Sequence, residues 1–348
     1  MKKLVIFLIL ELGLTHSTSW SEEVISKIYF GSCAKEYKPM PIFNAINHDK
    51  PDVFIMLGDN VYGDTEDMLE LASKYQQLGK NPGFATLRTQ SEIIAIWDDH
   101  DYGENDAGKE YPQKQASRKV MLDFFNEPKD SPRYHRDGIY TSYFYGTEDK
   151  KIQVIMPDLR WNRDTLHQVS KFKYATQRLP KNMGPYKVSP TPKASMLGEK
   201  QWQWLEKELL KPSKIKIIAS SLQLLPEFTG WESWANFPYD RNRLLNFIKQ
   251  HKINGVILIS GDTHWGEMSK LPQDNGYPIW EITSSGLSEK WKDVSPNKHR
   301  VGDFTNKVNY GFIEVNWEMK DPVIQFGLKN EQGKLVMKHQ LALSKLNF

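Results

Sequence analysis

Six times along the chain a short apolar run, rich in β-branched residues, stops at once in small or polar residues. Residues 27–30 lead into Gly31-Ser32-Cys33, 53–57 into Gly58-Asp59-Asn60, and 93–97 into Asp98-Asp99-His100-Asp101. Residues 152–156 lead into Pro157-Asp158-Leu159-Arg160, 215–219 into Ser220-Ser221, and 256–259 into Ser260-Gly261-Asp262-Thr263-His264. Runs without polar alternation suit strands covered on both faces. Helical patterns at 66–78, 115–125, 198–210 and 241–251 separate several of them, so the order of elements predicts an α/β core. In such sheets ligands bind beyond the carboxyl ends of the strands. Here those ends carry nearly all the metal-binding and titratable chemistry.

The remaining segments read differently. Residues 174–194 hold four prolines and are expected to form an insertion over the site or an exposed excursion. Residues 308–317, 322–328 and 334–343 read as antiparallel strands, with a turn at 330–333. Lys2 and Lys3, an apolar run at 4–14 broken by Glu11, and small polar residues before Trp20 have the layout of an export signal over residues 1–19. That run is shorter than the roughly 20 residues a membrane span needs, and no later run reaches it. Residues 20–348 are expected to form one domain. A hydrophobic content of 39% fits a globular protein rather than a disordered chain or a membrane bundle. The 46 basic and 43 acidic residues leave a slight excess, read as spread along the chain, which gives no argument for a nucleic-acid partner. Cys33 is the single cysteine, so no intrachain disulfide forms.

Three strand ends look chemical. In Gly58-Asp59-Asn60-Val61-Tyr62 a glycine lets the backbone turn and aim a carboxylate. The stretch 98–106 holds five acidic residues with His100 and Asn105, and packing them against a core costs repulsion unless cations neutralise them. Asp262 and His264, two apart after a buried run, can reach one metal centre; His with carboxylate suits zinc, iron or manganese, and oxygen ligands suit calcium or magnesium. Arg160 has the donor fork that fits phosphate, or else pairs with Asp158; Arg163 is expected to pair with Asp158 or Asp164. Trp161, Trp231, Trp234 and Trp265 lie near these loops, as core pieces or as an apolar slot.

Taken together, Gly31-Ser32-Cys33, Gly58-Asp59-x-x-Tyr62, Trp97-Asp98-Asp99-His100-Asp101, Asp158-x-Arg160 and Ser260-Gly261-Asp262-x-His264 resemble the PhoD-like alkaline phosphatases, a branch of the calcineurin-like metallophosphoesterases. The segment 230–238 resembles them too. The resemblance implies a metallophosphatase-type four-layer α/β/β/α sandwich with mixed sheets. It implies Fe3+ held partly by Cys33 and Tyr62, Ca2+ beside it, Asp59 bridging the metals, and Asn105, Asp262 and His264 completing the cluster. Asp98, Asp99 and His100 match the motif, as contacts to metal, to substrate or to one another. Arg160 would face the phosphate. The chain departs from the general calcineurin-like pattern, because Cys33 and Asp98-Asp99-His100 stand where Asp-x-His and Gly-Asn-His are usual.

The expected function is that of an exported hydrolase, periplasmic or secreted, that cleaves phosphate monoesters through a metal-activated water. His100 or His264 would serve the leaving group. The same motifs admit a phosphodiesterase of phospholipase D-like activity, acting on phospholipid, nucleotide or cell-wall polymer. A non-catalytic calcium-binding module would explain the acidic loop alone, but not Cys33, the histidines and Arg160.

Overall fold

All six apolar runs become strands, and they divide three and three between two sheets. The computed structural model describes residues 19–348 except residue 228. Nearly all of the expected export segment therefore lies outside the described residues. In one sheet Lys27–Gly31, Val53–Leu57 and Glu92–Ile96 run parallel, with Ile28 beside Val53 and Val53 beside Glu92. The antiparallel strands Asn309–Asn316, Val323–Asn330 and Leu335–Ala342 extend it to six among the described residues. In the other, Ile152–Met156, Ile215–Ala219, Val256–Ser260 and Ile279–Ser284 are parallel neighbours. Thr141–Tyr145 and Ser19–Ser21 extend one side, and Gly266–Leu271 and Arg300–Thr305 the other, making eight.

Parallel strands need crossovers, and the crossovers supply the outer layers. The helices Ile42–Asp49 and Pro82–Gln90 pack on the six-stranded sheet, with Met68–Lys80 and Lys114–Phe124 beside them. Gly198–Leu210 lies on the eight-stranded sheet: Gln153 donates to the Glu208 carbonyl at 3.0 Å and Ser142 to its carboxylate at 2.8 Å. Trp202 Nε1 donates to Asp240 Oδ1 at 2.8 Å and ties that helix to Pro238–Gln250. The inner faces of the two sheets meet through Ile279–Ser284 and Asn309–Asn316, which gives the expected α/β/β/α order. Ile257, Leu258 and Ile259 are essentially without solvent contact, and each such side chain contributes about 1.5–3 kcal/mol.

Caps fix the helix limits. Asp67 accepts from Leu69 N, so the helix expected at 66–78 is Met68–Lys80. Pro238 at the first turn starts the helix expected at 241–251 three residues earlier, as Pro238–Gln250. The expected excursion at 174–194 takes in most of a helical run from 171 to 181 and one strand of the ribbon His167–Gln168/Tyr186–Lys187. No helix among the described residues is long and apolar enough to cross a membrane.

Candidate metal centre and active site

The ends of strands from both sheets point into one cleft, and the backbone there is unusual. Cys33, Asp59, Asp106, Asp262 and His264 all have positive φ, between 48° and 68°. Non-glycine residues in this region cost about 1 kcal/mol or more each and cluster where function demands a geometry. Ahead of Asp59, Gly58 has φ 99°, and a Cβ there would lie 2.5 Å from Asp98 Cβ. Gly58→Ala is therefore expected to cost about 2 kcal/mol and to displace Asp98, read as a fall in Tm with loss of bound metal.

Cys33 Sγ lies 3.3 Å from Asp59 Oδ2 and 3.1 Å from Ser285 Oγ. Burial pushes its thiol up to about 12, while hydrogen bonds from Ser285 and Ser32 pull the other way. Tyr62 OH is 3.0 Å from His264 Nε2, and burial lowers His264 to about 4. The Tyr62 ring also packs on His100, centroids 4.2 Å apart. His100 Nδ1 is 2.7 Å from Asp64 Oδ1. Burial works against the His100 charge, but Asp99, Asp59 and Asp64 outweigh it and raise the group to about 10.

Around these sit the carboxylates. Asp59 and Asp262 are held far above the carboxylate range, first by burial and then by the negative groups around them. Burial brings Asp98 to about 7 against the pull of Arg160. Burial and Glu232 bring Asp106 to about 8. Asp99 alone goes down: Arg160, His100 and the Asp106 N–H overcome its burial.

So many buried acids crave positive charge, and bound cations would invert this picture. The residues fit such ions. Among the described residues, ligand atoms lie within 4.8 Å of one another in four sets: Cys33 with Asp59 and His264, Asp59 with Asp99 and His100, Asp98 with Asp99 and Asp262, and Asp99 with Asp106 and Glu232. Asp59 Oδ1, Asp98 Oδ2, Asp99 Oδ1 and Glu232 Oε1 are buried acceptors without a hydrogen bond among the described residues. Asp59 and Asp99 belong to more than one set, as bridging ligands would.

Arg160 differs from its expected place. Its guanidinium is fully buried; Nε donates to Asp98 Oδ1 at 2.6 Å and Nη1 to Glu232 Oε2 at 2.6 Å. Its partners are therefore Asp98 and Glu232, and it lies behind the cavity wall. Asp158 does not ion-pair with it; the carboxylate accepts from the N–H groups of Ile139, Arg160 and Trp161. Arg163 likewise pairs with Glu232, at 3.3 Å, rather than with Asp158 or Asp164.

The cavity of about 150 Å³ is lined by Asp59, Asp99, His100, Asp262 and His264, with Asn105 on its exposed side. Cys33, Tyr62 and Asp98 stand behind this lining. Asp106, Glu232, Thr263, Trp231, Trp265 and Trp291 complete the wall. Trp161 and Trp234 belong to the core instead. A larger cleft of about 440 Å³, between Glu92–Ile94 and Thr141–Tyr143, holds none of the four ligand sets.

Several working residues escaped the sequence reading. Asp106 and Glu232 lay inside quoted segments, but nothing local marked them. Asp64 orients His100, and Ser285 touches Cys33. Asp101 pins two loops together: its carboxylate accepts from Asp98 N, Asp59 N, Asn60 and Tyr75 OH at 2.6–3.3 Å.

Comparison with known proteins agrees with this geometry. The family model described as PhoD-like phosphatase matches residues 28–326. Alkaline phosphatase D of Bacillus subtilis (strain 168) is 22% identical over 304 residues, covering 74% of this chain and 48% of that protein. The chain thus spans about half the length of this curated relative. The solved structure of PhoD superimposes with a TM-score of 0.64 at 15% identity, over 93% of this chain and 73% of that one. A dimetal phosphatase from Danio rerio gives 0.54 at 13% identity, over 92% of this chain and all of that one. At these identities the two structures speak for the fold.

Proposed function

The chain belongs to the PhoD-like phosphatase family, and on that premise we propose that it is a metal-dependent hydrolase of phosphate monoesters. The observation that carries this reading is the cluster of buried carboxylates where strands of both sheets end, four of whose oxygens accept no hydrogen bond among the described residues. Cys33, Asp59, Tyr62 and His264 would hold Fe3+, for which a thiolate, a phenolate and an imidazole are strong donors. Asp59, Asp99, Asn105, Asp106, Asp262 and Glu232 offer the oxygen set that Ca2+ takes. When bound, the ions supply the positive charge that acidifies water and screens the phosphoryl oxygens.

The chain's own groups do the rest. Water oxygen bonds to phosphorus while the bond to the alcohol oxygen breaks, and that oxygen needs a proton. His100 is placed to give it, since Asp64 holds Nδ1 and leaves Nε2 for the cavity. His264, neutral and beside Tyr62, suits a ligand role. Thr263 Oγ1 and Trp265 Nε1, in residues that line the cavity, are buried donors with no hydrogen-bond partner among the described residues, and they would hold phosphoryl oxygens. Arg160 acts from behind, keeping Asp98, Asp99 and Glu232 in register.

A phosphodiesterase is the second reading, favoured by the rim. Trp231 and Trp291 meet edge to face at 5.7 Å, and Trp291 is 43% exposed, an apolar lip for a second alcohol group. Rates on a chromogenic monoester and its matched diester separate the two. Faster monoester turnover supports the first reading, faster diester turnover the second, and no turnover of either sinks both. The leader-like residues 1–19 extend the proposal to an exported protein. N-terminal sequencing of material recovered outside the cytoplasm should then begin near residue 20; a chain retaining Met1 inside the cell would contradict export.

A further inference from the structure

The positive excess is not spread along the chain. Residues 165–198 contain six Lys and Arg and no Asp or Glu, which leaves the rest acidic, with 40 basic against 43 acidic residues. Lys171, Lys173, Lys181, Lys187 and Lys193 are exposed, and none is ion-paired among the described residues. Among them stand the most exposed apolar side chains of the segment: Phe172 at 76%, Leu179 at 55% and Val188 at 43%. A helical run from 171 to 181 carries the first two. Large exposed apolar groups set among unpaired cations are costly in water and suit a surface that is both oily and negative.

The excursion is firmly based. Gly184 N donates to Thr229 O at 3.1 Å, Tyr186 N to Gly230 O at 2.8 Å, and Ser189 N to Asn236 O at 2.8 Å. Gly184 and Gly230 touch backbone to backbone; a Cβ on Gly184 would lie 2.3 Å from Gly230 O. Tyr186 OH donates to Asp106 in the cavity wall. The basic, apolar tip is thus rigidly joined to the rim that carries Trp231, next to half-exposed Trp291.

We propose that residues 171–193 are a docking surface for an anionic lipid bilayer, seated beside the mouth of the cavity. Phe172 and Leu179 enter the headgroup boundary, and the lysines meet the negative headgroups. Trp291 and Trp231 then lie at the depth that tryptophan prefers. A nucleic acid would match the charge but offers nothing to Phe172 and Leu179.

The test is flotation of the full chain with vesicles of phosphatidylcholine alone and of equal parts phosphatidylcholine and phosphatidylglycerol. Wild type should float with the anionic vesicles only, and less as salt rises. The K171E/K173E variant and, separately, the F172S/L179S variant should each bind at least about tenfold more weakly. Both should keep wild-type Tm and wild-type turnover of a soluble ester, because neither pair lines the cavity. The proposal is overturned if wild type ignores anionic vesicles, or if either variant floats as well as wild type. Binding to duplex DNA as tight as to the vesicles, unaffected by F172S/L179S, would equally overturn it in favour of a plain polyanion surface. Because binding is read without hydrolysis, its failure is independent of the proposed reaction.

Discussion

Asp59→Asn should lower ester hydrolysis by at least about a thousandfold and strip most bound metal. Asp59 is the carboxylate that stands beside both Cys33 and His264, proposed for Fe3+, and Asp99, proposed for Ca2+, so its loss weakens two ion positions together. Asparagine keeps the shape, and the backbone N–H that bonds to Asp101 is untouched. Stability supplies a second readout. A buried carboxylate with a strongly raised pKa is a burden on the metal-free fold. With chelator present, the variant should therefore melt at or above wild type; without chelator, wild type alone should gain Tm, by the linkage between binding and folding. A variant that loses Tm in chelator and retains its metal would make Asp59 structural.

Arg160→Met should cost about 3–5 kcal/mol, seen as a fall of about 10 °C in Tm. The guanidinium has no solvent contact and faces Asp98, Asp99 and Glu232 at 2.5, 3.6 and 2.6 Å. Removing it strands three buried acids. Arg160→Lys should recover little, because a point charge cannot bridge Asp98 and Glu232 as the planar fork does. Had Arg160 faced the phosphate directly, the methionine variant would fold normally and lose only turnover. A Tm within about 1 °C of wild type would favour a phosphate-facing Arg160 and contradict its burial between Asp98 and Glu232.

What the sequence revealed follows from burial. Strands covered on both faces are mostly apolar, with single polar residues such as Gln153 and Lys216 in them, so 53–57, 152–156, 215–219 and 256–259 announce themselves, and polar residues at their ends stand out. Gly266–Leu271 and Arg300–Thr305 do not, because the polar residues inside them are satisfied by distant partners. Glu267 accepts from Gln223 and pairs with Arg300, contacts no local pattern encodes. The site divides the same way. Cys33, Asp59, His100, Asp262 and His264 each follow a strand and were visible. Glu232 stands beside Asp99 and Asp106 and is held there by Arg160 and Arg163, which lie about seventy residues earlier in the chain. The acidic stretch at 98–106 calls for cations in the sequence, and the buried Arg160 supplies part of that neutralisation. The charge of 165–198 was missed because a whole-chain total hid it.

The most direct test is metal analysis of protein purified without chelator, with turnover of a chromogenic phosphate ester measured before and after chelation. Bound iron and calcium, a visible absorption band from ferric iron on Tyr62, and turnover that chelator abolishes and metal restores are the expected results. Metal-free protein that turns over the ester unaffected by chelator would contradict metal-dependent hydrolysis, because the clustered acids around Asp59 would then have no ion to hold.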